Sequence, residues 1–353
     1  MPGGVFEPTQ VGKREDLADF ISVIDARGTP VLSMLPTGKP ITNTYFEWLL
    51  ETEFLPSDST YVGGTDHKDY LNADESRARI GSYVQYTRNG IRVADDAEDI
   101  STVAGVKSEY ARAMKKAMVK SARDIEATIL SSQEHQAGSA TAKYYGRGLG
   151  TWILDTTNIA GQSYNTSTTQ VPEEFRPASG NIITTAVANI EDSTIQDLLQ
   201  STFDQVGPAQ SNYVLVCGSE LRRRFTDLTR SEQYASTNTP LKQTTHNYDG
   251  ASDRFRQTVT FFEGDFGMIE VLTSSFIGWS LDGTKLIGTQ AGTPNTSRGY
   301  VLDPSQIELR WQERLSHRSQ SDEGGGPRGF VRGRWGLCVK NPLTMSQFNT
   351  ALS

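Results

Sequence analysis

The stretch from Gly105 to Gln136, GVKSEYARAMKKAMVKSARDIEATILSSQEHQ, constrains the fold more than any other part of the chain. Tyr110, Met114, Met118, Ala122, Ile125 and Ile129 recur at steps of three and four, which places them along one side of a helix. Lys107, Arg112, Lys116, Arg123 and Glu126 fall elsewhere on the turn, and neither Pro nor internal Gly interrupts the run. At 1.5 Å per residue such a helix is roughly 45 Å long, longer than a small domain is wide. A rod of that length acts as a spine for other elements. Tyr110, Met114, Met118, Ile125 and Ile129 are its expected core contacts.

Before the spine, residues 1–13 hold Pro, Gly and Thr with few apolar anchors and read as an extended arm. Arg14–Ile24 is a short amphipathic helix, and VLSMLPTGKP an apolar turn punctuated by Pro36, Gly38 and Pro40. Tyr45–Leu55 is rich in aromatics and predicts a strand. A polar, Asp-rich stretch, Ser57–Arg79, separates it from extended runs at Tyr83–Thr87 and Ile91–Ala94. That pattern predicts a protruding hairpin, although a solvated surface loop has the same composition. Asn89-Gly90 is a turn signal. Asp95, Asp96, Glu98 and Asp99 come just before the spine, where carboxylates suit a helix N-terminus better than they suggest a metal site.

After the spine, residues 138–181 are rich in Gly, Ser and Thr. Ser193–Val206 and ELRRRFTDLTR read as helices around a buried strand, Tyr213–Cys217. Strand patterns follow at Thr258–Phe262, Met268–Thr273, Lys285–Gly288 and Tyr300–Trp311. GGGPRG then breaks the chain before a last strand, Phe330–Val339.

Chemistry-bearing patterns are sparse. His67, His135, His246 and His317 have no metal-ligand spacing and read as solvated surface residues. Cys217 and Cys338 lie far apart in apolar runs, as buried reduced thiols would. GRGLG at 146–150 lacks the strand, helix start and lysine of a phosphate loop, and no GxSxG elbow occurs. No apolar run approaches membrane-spanning length. No cofactor, metal or catalytic residue is expected, and the chain reads as a non-enzyme. A net charge of −8 argues against a protein that wraps nucleic acid through a basic surface. The one basic–aromatic stretch, Arg328, Phe330, Arg332, Arg334 and Trp335, reads as a structural strand whose alternation breaks at Gly333. Its arginines are expected to pair acids on a neighbouring subunit.

This order of arm, acidic hairpin, spine, mixed region and returning strands resembles the major capsid proteins of tailed bacteriophages, which share the HK97-like fold. The stretch LADFISVIDARGTPVLSMLPTGKPITNTYFEW is similar to one branch of that family at Leu17, Thr29-Pro30, Ser33-Met34, Pro36, Gly38, Asn43-Thr44 and Glu47-Trp48. VLDPSQIELRW resembles its strand with Leu302-Asp303-Pro304. The resemblance implies an α+β fold with an N-terminal arm at 1–44 and an extended loop at 45–95. The spine and the start of a peripheral domain would occupy 96–189, an axial domain 190–290, and returning peripheral strands 291–353. It implies self-assembly into hexamers and pentamers around double-stranded DNA. Portal and scaffolding proteins, and a decoration or cement protein, would be partners, and DNA would be touched weakly and without sequence preference. The expected inter-subunit contacts are Phe46, Trp48 and Phe54 as hairpin anchors, with Glu51, Glu53 and Asp58 pairing Arg112, Arg328 or Arg332 of neighbours. Some relatives cross-link a loop lysine to an asparagine; Lys68 and Asn341 lie in such regions, but no acidic catalyst accompanies them and no cross-link is expected. An encapsulin-like shell loaded with enzyme cargo would share the fold.

Overall fold

The computed structural model describes residues 28–53, 77–99, 108–153, 175–207, 212–228, 260–277 and 296–348, with short pieces at 56, 58, 60–63, 171–172, 247–249 and 254–256. Chain order is α1 (Pro30–Met34), β1 (Tyr45–Glu51), β2 (Arg77–Tyr83), β3 (Gln85–Arg92), α2 (Asp95–Asp99) and α3 (Glu109–Ile129). There follow α4 (Leu149–Trp152), β4 (Ile182–Ile183), α5 (Asp192–Val206), β5 (Asn212–Cys217), α6 (Ser219–Leu228), β6 (Asn247–Asp249) and β7 (Arg254–Arg256). The chain closes with β8 (Phe261–Gly264), β9 (Gly267–Thr273), β10 (Gly299–Leu302), β11 (Ile307–Gln320), β12 (Arg328–Val339) and β13 (Ser346–Phe348). The expected segments Arg14–Ile24 and Lys285–Gly288 lie outside the described residues, as do His67, His246, Phe54 and Lys68.

Two sheets carry the fold. β11, β12 and β3 form an antiparallel three-stranded sheet on which the spine α3 rests. A six-stranded sheet has the order β4-β13-β10-β5-β9-β8, with β5 and β9 parallel. Val214, Val216, Tyr300 and Leu302 join Ile125 and Ile129 in one core. Alternate residues Tyr213, Leu215, Cys217 and Val301 join Leu198, Leu199, Leu221 and Phe225 in the other. A strand buried on both faces needs an unbroken apolar run, which is why YVLVC does not alternate. The sheet also draws in β4, β10 and β13, so it recruits strands from outside the 190–290 stretch.

The spine is shorter than its hydrophobic pattern suggested: 21 residues, about 32 Å. It ends at Leu130 because the following chain takes up its last carbonyls. Ser131 Oγ donates to Thr128 O at 2.7 Å, and Gly150 N donates to Ser131 O at 3.1 Å. At its start, Ser108 Oγ accepts from Ala111 N, and Glu98 Oε2 accepts from Tyr110 N at 3.0 Å. The acids of α2 thus lie at the spine's N-terminus, as expected.

Three local readings are corrected. Asn89-Gly90 is not a turn; it lies inside β3, opposite Val331 and Phe330. Asn89 Nδ2 donates to Ser121 Oγ at 2.8 Å and to Asp124 Oδ2 at 3.1 Å, so the asparagine ties the sheet to the spine. Residues 28–44 are not a free arm, because Val31, Leu35 and Ile41 are buried in the body. Leu309 N donates to Pro36 O, and Gly38 N and Ile41 N donate to carbonyls of β11. Glu126 does not face solvent; it is fully buried, accepting from Leu32 N at 3.0 Å and from Ser274 Oγ at 2.8 Å. Burial holds its carboxyl above the usual carboxylate range, although the hydrogen bonds oppose that rise.

Candidate assembly surfaces

β1 and β2 pair in seven registered positions, from Tyr45↔Tyr83 to Glu51↔Arg77, and among the described residues form a two-stranded sheet. At its root Phe46 is buried with Ile41, Val84 and Cys338. Trp48 stacks on Phe46 at 5.6 Å, tilts against Trp152 at 5.4 Å and donates Nε1–H to Val339 O. These two aromatics therefore tie the hairpin to its own subunit. An aromatic in a strand near a hairpin root has its own core closest to hand. Glu51 meets Arg77 at 3.0 Å and Glu47 meets Arg79 at 3.6 Å, both across the hairpin. Glu51 thus has a partner in its own subunit. Glu53 is exposed, and Asp58 is exposed but accepts from Thr60 N and Oγ1. Leu49, Tyr61 and Val62 are 66%, 84% and 74% exposed.

On the spine, Ile125 and Ile129 are fully buried, and Tyr110 and Met114 half-buried. Met118 is 37% exposed, which corrects its place among the core contacts. It shares its angle on the helix with Ile125 and Ile129, but it lies before the point at which the spine enters the core, where Ser121, Ala127 and Thr128 are buried too. Arg112 pairs Glu109 three residues before it at 3.4 Å, rather than an acid presented by the hairpin.

The third surface is the side of the three-stranded sheet turned away from the spine. Val331, Gly333 and Trp335 are buried, while Phe330, Arg332 and Arg334 are half-exposed on the opposite face. Alternation therefore runs unbroken through Gly333, whose Cβ position sits 2.8 Å from Leu315. Registration sets Arg328 beside Arg92, Phe330 beside Gly90, Arg332 beside Arg88 and Arg334 beside Tyr86. One carboxylate, Glu313, serves three of the arginines: Arg332 at 2.9 Å, Arg318 at 3.0 Å and Arg334 at 3.8 Å. Burial works against its charge, but hydrogen bonds from Arg332 and Arg318 hold its carboxyl below the usual range. Arg328 pairs Glu323 at 2.6 Å. Arg328 and Arg332 thus each meet an acid of their own chain, which the strand hairpin brings alongside at no cost in association entropy.

The groups that looked chemically neutral in sequence are mostly structural. Cys217 and Cys338 are free, buried thiols, each pushed up to about 12 by burial. His317 shares a 2.8 Å hydrogen bond with Tyr110 Oη beneath the spine, and the His135 side chain is only 8% exposed. Neither is the solvated surface histidine expected, because each lies against aromatic rings contributed by distant strands or the spine. GRGLG packs on the end of the spine, where Arg147 pairs Glu134 at 2.8 Å and stacks on Trp152 at 4.5 Å. Asn341 Oδ1 accepts from Leu343 N, capping the turn that follows it. Among the described residues no cluster of His, Cys, Asp and Glu could hold a metal ion, and no helix is long and apolar enough to cross a membrane.

The described architecture is a spine on a three-stranded sheet, a six-stranded sheet packed against helices, and a two-stranded ribbon seated on the core. A family model, the SU10 major capsid protein, matches residues 5–350. The chain belongs to that family. Among solved structures, the cyanophage A-1(L) capsid asymmetric unit is similar to this SU10-type capsid protein with TM-score 0.61 at 12% identity, covering 99% of this chain and all (100%) of that one. The capsid of a native GTA particle gives 0.57 at 12% identity and 98% coverage of both chains. Mycobacterium phage Ogopogo gives 0.56 at 13% identity, covering 99% and 100%. No curated protein matches the sequence. These likenesses establish the HK97-like fold, and the family establishes a major capsid protein of the tailed-phage type, a structural subunit of the virion shell. An enzyme-loaded compartment shell is set aside by that match.

Proposed function

We propose that this SU10-type major capsid protein assembles as hexamers and pentamers into an icosahedral shell around double-stranded DNA, within the host bacterial cytoplasm. The observation that carries this reading is the β1–β2 ribbon, two strands wide, with Leu49 exposed along it and Tyr61 and Val62 exposed beyond β1. Leu50 and Ile80 seat one face of this ribbon on its own subunit's core, but Leu49, on the other face, is left in water. A neighbouring copy supplies a cover for that face. In this reading the ribbon is the extended loop, the spine with its three-stranded sheet the peripheral domain, and the six-stranded sheet with α5 and α6 the axial domain. Glu53 and Asp58 remain available for contacts with a neighbour. A net charge of −8 lets DNA lie against the shell without a tight grip. Portal, scaffolding and decoration or cement proteins would complete the particle.

Light scattering of the purified protein, followed by electron microscopy, tests the proposal. Closed particles built of hexamers and pentamers support it, and nuclease-protected DNA inside particles from infected cells supports the genome role. A monomer at every concentration, even with phage partners present, would sink it.

A further inference from the structure

The outward face of the β11–β12–β3 sheet has a charge that the rest of the molecule lacks. Arg88, Arg92, Arg318, Arg328, Arg332 and Arg334 stand against Glu313 and Glu323, a formal excess of +4 within a chain of net charge −8, so the remainder carries −12. All six cations are arginines, and two lie over aromatic rings: Arg88 over Phe330 at 5.3 Å and Arg334 over Tyr86 at 4.7 Å. Arg88, Arg332 and Arg334, with those two rings, line a shallow recess of about 290 Å³. Guanidinium groups pre-stacked in this way lose little freedom when they take a carboxylate by two parallel N–H···O bonds. Glu313 is already shared among three arginines, so it leaves that capacity unfilled.

We propose that this arginine face is a docking surface for carboxylates on a second copy of the same chain. The proposal rests on the self-assembly reading above. Its support is charge complementarity: each copy offers a basic face, while the rest of the chain carries a net charge of −12. A patch that attracts a different patch on the next copy makes a head-to-tail contact, the kind that closes into rings. Nucleic acid fits the observations less well, because the surfaces around this face would repel its phosphates. Arg88 has no acid of its own subunit within ion-pair distance among the described residues, and it is the expected focus of the contact.

The test is arginine labelling with a dicarbonyl reagent, read by mass spectrometry, on wild-type particles emptied of nucleic acid and on dissociated subunits. Arg88 and Arg318 should lose most of their reactivity on assembly. The single variant Arg88→Gln, which leaves the Glu313 pairs intact, should fold with its unfolding midpoint little changed yet assemble at least tenfold less efficiently, while Arg88→Lys should retain assembly. Full reactivity of Arg88 in empty particles would overturn the proposal and leave the capsid reading intact. So would protection that disappears when nucleic acid is removed, which would assign the face to phosphates instead. Failure of the wild type to form any particle would remove both readings together.

Discussion

Trp48 Nε1 donates a 3.0 Å hydrogen bond to the carbonyl oxygen of Val339, 291 residues further along the chain. The bond joins the root of the β1–β2 ribbon to the end of β12, with the indole wedged between Phe46 and Trp152. Trp48→Phe keeps most of the packing and removes the bond, so it should destabilise the unassembled subunit by about 1 kcal/mol. Trp48→Ala also removes the half-buried ring and should cost roughly 2–4 kcal/mol. Denaturant unfolding of the two variants checks the order; equal losses would mean that the hydrogen bond contributes nothing.

The spine's first turn depends on two side chains at its entry. Ser108→Ala should cost about 1 kcal/mol, the usual penalty for losing an N-cap. Hydrogen bonds from Ser108 and from the amides of Tyr110 and Glu109 hold the Glu98 carboxyl below its ordinary range. A lowered folded value means that Glu98 contributes stability above its unfolded pKa and loses it as pH falls through the folded one. The protection of the Tyr110 amide against exchange, taken relative to its intrinsic rate at each pH, should fall in acid in the wild type and show no such step in Glu98→Gln.

Gly148 explains why GRGLG is glycine-rich without any phosphate. A Cβ there would sit 2.3 Å from the Ser131 carbonyl oxygen and 2.9 Å from that of Thr128, the turn that ends the spine. Gly148→Ala should therefore destabilise by about 1–3 kcal/mol through overpacking. Gly90 has nothing within 4 Å of its Cβ position, so Gly90→Ala should be neutral or stabilise by roughly 0.5–1 kcal/mol. Equal unfolding midpoints for the two variants would contradict the packing account.

His135 is the main acid-sensitive histidine of the described core. Burial first, and then the Arg147 charge, push its imidazole down to about 4 against the partial opposition of Glu134. With the folded value depressed, its contribution is complete above pH 6.5 and is lost as pH falls from about 6.5 to about 4. The loss is on the order of 3 kcal/mol across that window. His135→Phe should flatten this part of the stability–pH curve, and an unchanged slope in the variant would show that another group controls it.

The amino-acid sequence determined the elements whose signal is local. The spine, α5, α6 and the apolar run of β5 all show in residues one to four apart, because helix periodicity and a continuous apolar stretch are short-range signals; the alternation of β12, which Gly333 interrupts in sequence, shows only in the fold. Tertiary structure decided which polar residues go inside and what each surface can meet. Glu126 reads as a solvated helix residue until Leu32 and Ser274, 94 and 148 positions away, supply its donors. Asn89-Gly90 carries a turn signal, but pairing with β12 overrides it. Arg88 and Arg332 are 244 residues apart in sequence and become neighbours only through strand registration, which gives an acidic chain a basic sheet face. Burial and charge density depend on segments far apart in the chain, and local periodicity carries no information about which segments meet.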